Sequence, residues 1–272
     1  MSEQKIYQLL RIIGRALLLI FIFLPIVWLI LTAFKVARDA YSTKIIFQPT
    51  IENFIRIFSE PNNFGPMVLN SVVVSGLTVL IAIPIATLAA YAFSRYSFKL
   101  KNILLVWVLS SQFVPPVVIV LPFFTLFMKL RLLDTRLALI VLNLSFVLAF
   151  AIWMIKGFID ALPREIEQAA IVDGCNQFQV LRYVTFPLIM PGVVTSAVFC
   201  FIQSWNEFLF ALIITRKFAT TMQVGLMSLL SDRGIIWEQM AAAGIIVMIP
   251  IFILSITIRK YFIQGLTMGA VK

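Results

Sequence analysis

Residues 165–192 read EIEQAAIVDGCNQFQVLRYVTFPLIMPG, a polar stretch inside a chain whose other segments are overwhelmingly apolar. From Lys156 to Arg182 seven side chains are charged: Lys156, Asp160, Arg164, Glu165, Glu167, Asp173 and Arg182. At roughly 3 kcal/mol for each charge at the centre of a membrane helix, submerging all of them costs on the order of 20 kcal/mol. The stretch therefore lies outside lipid and separates the apolar runs before it from those after it.

Its local pattern predicts helix, glycine turn, helix. Pro163 suits a first helical turn, and Glu165 and Glu167 fall near the positive end of the helix dipole. Gly174 can take the left-handed conformation that stops a helix. Asn176 with Gln179 three residues on matches a capping box for a second short helix. In the first helix Ile166, Ala169, Ala170 and Asp173 share a face at i, i+3, i+4 and i+7. Ala169 and Ala170 leave that face nearly smooth, so another backbone can approach it closely. A plain solvated loop does not explain the capping. A helix-turn-helix reader of nucleic acid needs several phosphate contacts, and Arg182 is the only cation of the second helix. The pattern points instead to a docking element for a partner, and to no nucleic acid.

Outward from this stretch, 61% of the 272 residues are hydrophobic, 12% are charged, and the mean hydropathy is +1.02. Such a composition belongs to an integral membrane protein. Apolar runs at 12–34, 67–93, 102–128, 137–155, 193–215 and 239–258 each approach or exceed the roughly 20 residues an α-helix needs to cross the hydrocarbon core. The runs are uniformly apolar, which excludes the alternation of a membrane β-barrel. The fold class expected is an all-α, polytopic membrane bundle: one transmembrane domain over 1–272, six transmembrane helices, and a helix-turn-helix loop at 156–186. The first run has no small-residue cleavage site before Lys35 and reads as a retained helix. The segment 35–66 reads as a cap on one membrane face, with 214–237 on the same side.

The net charge of +10 fits anionic membrane lipid around the span ends. It gives little orientation, because the segments on one side carry 12 Lys and Arg and those on the other carry 10. Prolines at 25, 84, 115, 116, 122 and 250 predict kinked spans, and such kinks suit a bundle with an internal cavity.

Glu207 is the only acidic residue in the six runs, and Asn206 stands beside it. An ionisable group at that depth faces the bundle interior or a watery cavity. It reads either as a hydrogen-bond clamp between helices or as a solute contact. Ser110, Ser111 and Gln112, just before the Pro115–Pro116 kink, and Asn143 in the fourth run are further polar candidates for a solute pathway. Trp107, Trp153 and Trp205 could offer flat apolar surfaces.

The stretches EQAAIVDG at 167–174 and FPLIMPG at 186–192 resemble the EAA loop of bacterial ABC-importer permeases. SWNEFLFAL at 204–212 and the ending YFIQGLTMGAVK at 261–272 resemble the carbohydrate-uptake branch, in particular the shorter, maltose-permease-like subunit of its two-permease pairs. The resemblance covers the six-span body and is dense from Pro163 onward. It implies a multi-pass protein of the bacterial cell (inner) membrane, with both termini and the loop cytoplasmic. Glu165, Glu167, Gln168, Ala169, Ala170, Asp173 and Gly174 would couple it to an ATPase. It further implies a second, non-identical permease, a dimer of ATPase subunits that hold ATP and Mg, an extracytoplasmic solute-binding protein, and a sugar or sugar-like solute. Ser111, Gln112, Asn143, Trp205, Asn206 and Glu207 are the pathway candidates. Gln168 departs from the pattern, standing where the family has glutamate, with Glu167 just before it.

The chain has no G-x-x-x-x-G-K-[ST] phosphate loop, so it is not itself the ATPase. It is read as a transport subunit, not an enzyme, with no cofactor bound by this chain. The rival reading is a stand-alone secondary transporter or channel. Internal repeats and coupling-ion carboxylates mark many such proteins, and here there is no evident repeat and one candidate carboxylate.

Overall fold

The computed structural model describes residues 3–231 and 234–270, with side chains at 7–8, 10–230 and 234–259. In order, its helices are α1 (Glu3–Ala33), α2 (Ala37–Ala40), α3 (Glu52–Phe58), α4 (Phe64–Arg95), α5 (Lys101–Ser110), α6 (Pro116–Lys129), α7 (Arg136–Asp160), α8 (Arg164–Val172), α9 (Gln177–Gln179), α10 (Phe186–Trp205), α11 (Leu209–Ile214), α12 (Met222–Ser228) and α13 (Trp237–Ala270). A 3-10 turn covers Ser111–Phe113 and a π-helical turn covers Val180–Thr185. β1 (Leu230–Ser231) and β2 (Gly234–Ile235) form a minimal antiparallel hairpin. Among the described residues the fold is all-α apart from this hairpin. It divides into two compact units, residues 1–65 with 225–250 and residues 66–224 with 251–272, where the sequence reads as one domain.

Among the described residues, Leu10–Ala33, Phe64–Arg95, Arg136–Asp160, Gln177–Trp205 and Trp237–Arg259 are long and apolar enough to cross a membrane. Two of the six expected spans need correction. The run 102–128 is not one straight helix: its two halves, Lys101–Phe113 and Pro116–Lys129, are bent by 94°. The reason is the Pro115–Pro116 pair. Val114 and Pro115 are extended, and Pro116 starts α6, where a missing N–H costs nothing. The fifth span does not run from 193 to 215. It starts at the Asn176 cap, passes through the π-helical turn, and ends at Trp205. The second short polar helix expected from the sequence is thus the head of a 29-residue span.

In the first unit, the chain turns after α1 and folds back on itself. Asn53 donates to the carbonyls of Ala33 and Lys35, both at 2.8 Å, closing the end of α1. Lys35 is fully buried; its Nζ donates to Ser42 at 3.1 Å and lies 4.4 Å from the Trp28 ring centre. Tyr41 donates to the carbonyl of Ile235 at 2.7 Å, so part of the expected 35–66 cap does meet the 214–237 segment.

The second unit is built on α4, α7 and α10. Ala82, Ala86 and Ala90 recur every four residues on α4 and are fully buried. This small-residue face packs with Val147, Ala151, Ile155 and Ile159 of α7 and with Ile189, Val193 and Cys200 of α10. A second cluster joins Val120 and Phe127 of α6, Leu139 and Leu142 of α7, and Phe210, Ala211 and Ile214 of α11. At the far end of α4 from Arg95, Asn70 donates to the carbonyls of Phe218 and Thr220 at 2.9 Å and accepts from Arg136 at 2.7 Å.

The 261–272 stretch, part of the resemblance above, lies outside the residues whose side chains are described.

Candidate functional site

The helix α8 stops at Gly174 as its sequence predicts, and it starts one residue after Pro163, which caps it instead of forming its first turn. Pro163 precedes it in an extended conformation, and Gly174 follows it at φ +93°. Cys175 N–H donates to Ala170 and Gly174 N–H to Ile171, both at 3.0 Å, the double bond pattern of a Schellman stop. The capping box is complete: Gln179 N–H donates to Asn176 Oδ1 at 2.9 Å and Asn176 N–H to Gln179 Oε1 at 2.8 Å.

The inner side of α8 is locked to the bundle by Glu167, which is only 7% exposed. One of its oxygens accepts from the hydroxyl of Thr185 at 2.6 Å. The other pairs with Arg95 Nε at 2.6 Å, and both side chains are 9% exposed. The Nη2 of Arg95 donates to the carbonyls of Ile159 and Leu162 at 2.9 and 3.1 Å, at the C-terminal end of α7. Ser94 donates to Asp160, which also pairs with Lys156, and Arg164 donates to the Ser94 carbonyl at 3.3 Å. A polar cleft of about 140 Å³ beside the pair is bordered by Tyr91, Tyr96, Gln168 and Gln177. Removing one partner of a buried ion pair costs about 3–5 kcal/mol, because the other is left uncompensated.

The face read from the sequence is divided by this anchoring. Ala170 turns inward with Glu167 and is buried, so its small size serves packing within the chain. Glu165, Ile166, Gln168, Ala169, Asp173 and Gly174 stay exposed, together with Ile171 and Val172. Val172 is 87% exposed on α8, a helix too polar for lipid, and Phe178 is 63% exposed at the head of the fifth span. A Cβ on Gly174 would meet nothing within 4 Å, so φ alone, and not a close approach within the chain, demands glycine there.

The pathway candidates separate into two groups. A cavity of about 440 Å³ gathers Asn143, Asn206 and Glu207 with Gln203 and the rings of Phe146, Phe208 and Phe210. Ser111, Gln112 and Trp205 do not line it. Ser111 donates to the Val108 carbonyl one turn back in α5, and Gln112 donates to the Phe146 carbonyl at 2.6 Å. Trp205 is buried and stacks on Phe201 at 5.6 Å. Trp107 is 75% exposed on the outer surface of the chain. Glu207 is not a clamp between helices. Its oxygens accept the N–H groups of Phe210 and Ala211, capping α11 where the fifth span has ended.

Arg95, Thr185 and Gln203 were not singled out in the sequence. Arg95 looks there like any cation at a span end, and Thr185 falls in what reads as loop. Gln203 carried a usable signal, a polar residue one turn before Asn206–Glu207.

Residues 82–268, which include both sites, match the family of the binding-protein-dependent transport system inner membrane component. The chain is 36% identical over 257 residues to the probable ABC transporter permease protein y4oR of Sinorhizobium fredii, covering 93% of this chain and 92% of that one. It is 32% identical over 276 residues to the trehalose/maltose transport system permease protein MalG of Thermococcus litoralis, covering 100% and 99%. A chain of the bacterial ABC transporter involved in import of the acidic polysaccharide alginate superposes with a TM-score of 0.80 over 96% of this chain and 98% of that one. At 19% identity this is a likeness of fold. The chain therefore belongs to the binding-protein-dependent transport system inner membrane components, as a permease subunit of an ABC importer.

Proposed function

We propose that this permease carries a sugar or sugar-like solute, and that α8 is the surface through which a dimer of ATPase subunits drives it. The observation that carries the reading is the two-sidedness of α8: Glu167 is locked inward while Ile166 and Val172 stand exposed outside the apolar spans. An anchored helix whose outer side mixes exposed Ile166 and Val172 with Glu165, Gln168 and Asp173 suits a cleft on another protein. On this reading α8 and both termini are cytoplasmic. A second, non-identical permease completes the pathway, an extracytoplasmic binding protein delivers the solute, and ATP and Mg reside on the ATPase subunits.

The solute class is supported by the Thermococcus litoralis relative, named for trehalose and maltose, and by the cavity chemistry. Asn143, Gln203 and Asn206 offer amide groups for hydroxyls, and the phenylalanine rings offer apolar faces. Reconstitution into proteoliposomes with the three kinds of partner tests the reading. Sugar uptake should require all of them and ATP. Uptake by this chain alone, or full ATPase retention by Val172→Asp and Phe178→Asp variants, would overturn it.

A further inference from the structure

We propose that Arg95 and Glu167 form a coupling joint: they are positioning residues that make the bundle follow α8, without touching either the ATPase or the solute. The inference rests on the reading of α8 as the ATPase-facing helix. Its basis is where the guanidinium sits. Arg95 belongs to α4, holds the carbonyls of Ile159 in the last turn of α7 and of Leu162 just beyond it, and pairs with Glu167 of α8, whose other oxygen is held by Thr185 at the head of the α10 span.

Four elements thus meet at one buried ion pair. Both side chains are 9% exposed, so water is poorly placed to replace either partner as α8 moves. Separating a buried pair is unfavourable, so the elements shift together and do not slide past one another. The direction of transmission is set by α10. From the π-helical turn that holds Thr185 it runs to Trp205, and Gln203 near that end lines the cavity with Asn206 and Glu207. π-helical turns tolerate local changes of hydrogen-bond register, and they recur at functional sites. The joint and the cavity wall are therefore at opposite ends of one continuous helical span. Glu167 points inward, which separates its role from docking.

The test uses the complete transporter in proteoliposomes with solute-loaded binding protein. Three quantities are read: ATPase retained on purification, ATP hydrolysed, and solute carried per ATP. In the Arg95→Met/Glu167→Met double variant, apolar side chains replace the pair and leave no charge stranded. The ATPase should stay bound and hydrolysis should continue, while solute per ATP falls about tenfold, the size of an ordinary coupling between sites. A purely structural role would lower the yield of complex and leave solute per ATP unchanged, and that result overturns the proposal. Loss of the ATPase from an otherwise stable complex also overturns it, since Glu167 would then be a docking residue. If the double variant does not insert, Thr185→Val decides. It removes one hydrogen bond at constant shape and should lower solute per ATP roughly fivefold, and an unchanged ratio refutes the joint. Failure of the unaltered chain to retain any ATPase would instead refute the reading of α8.

Discussion

Glu207 accepts the backbone N–H of Phe210 at 2.6 Å, and its second oxygen accepts that of Ala211 at 3.2 Å. The acidic residue of the fifth apolar run is thus committed to starting the next short helix, at the wall of the Asn143–Gln203–Asn206 cavity. Glu207→Gln keeps one good acceptor and should retain most transport. Glu207→Leu removes the cap, at about 1 kcal/mol, and should lower the melting midpoint of the purified complex. If both variants melt normally and lose uptake of only some solutes, Glu207 acts on the solute and not as a cap.

Why Glu207 was open to misreading shows where the sequence was legible. Hydropathy revealed each apolar run, because crossing the bilayer is a composition constraint read without neighbours. The α8 boundaries were equally legible, since Pro163, Gly174 and the Asn176–Gln179 pair act within a few residues of themselves. Span boundaries were not. The run at 193–215 hides a break, because Phe208 to Leu212 are as apolar as the helix before them and only the pairing of Glu207 with local N–H groups marks the stop. The run 102–128 hides a 94° bend in the same way. The anchoring of α8 was illegible for a different reason. Arg95 and Glu167 lie 72 positions apart, and nothing local distinguishes a buried Arg at a span end from one reaching for water.

Asp134 lies in the turn before α7, at the opposite end of the spans from α8. Partial burial pushes its carboxyl up, but the N–H groups of Ala219, Phe218, Arg216 and Lys217 outweigh that and hold it below its ordinary value. Ionised Asp134 therefore stabilises the fold. The contribution is complete above the unfolded-state value of about 3.9 and is lost as pH falls through the lower, folded value. Asp134→Asn tolerates the same left-handed backbone, φ +57°. It should lower the melting midpoint at neutral pH and flatten its acid limb. A midpoint and acid limb identical to the parent's would show that these four N–H groups are held by the loop itself.

The inward turn of Ala170 separates two variants that the sequence would place on one face. Ala169→Trp adds bulk on the exposed side and should abolish ATPase retention with little change in melting. Ala170→Trp pushes α8 off its seat and should cost about 1–3 kcal/mol of stability by overpacking, with docking lost as a consequence. Gly174→Val meets no neighbour but forces a β-branched residue to a positive φ, at a cost of about 1–2 kcal/mol. Equal melting midpoints for the Ala169→Trp and Ala170→Trp variants, measured on purified complex, would place both alanines on the same surface.

The contact between α7 and α10 depends on a missing side chain. A Cβ built on Gly192 falls on the ring of Phe158, so α10 can lie against α7 here only while residue 192 is glycine. Ala is the better helix former by about 1 kcal/mol, which favours Gly192→Ala in isolation. The clash works against it, since overpacking a filled interior costs about 1–3 kcal/mol. The steric term should win, because the ring sits between two long helices packed along their length. Gly192→Ala should therefore lower the melting midpoint, and Phe158→Leu should recover part of the loss when the two are combined. That recovery is the diagnostic quantity. A double-mutant cycle with a favourable interaction energy locates the strain at this contact. A Gly192→Ala protein as stable as the parent would show that the Phe158 ring swings aside freely, leaving the α7–α10 separation to be set by the alanine-lined cluster deeper in the bundle.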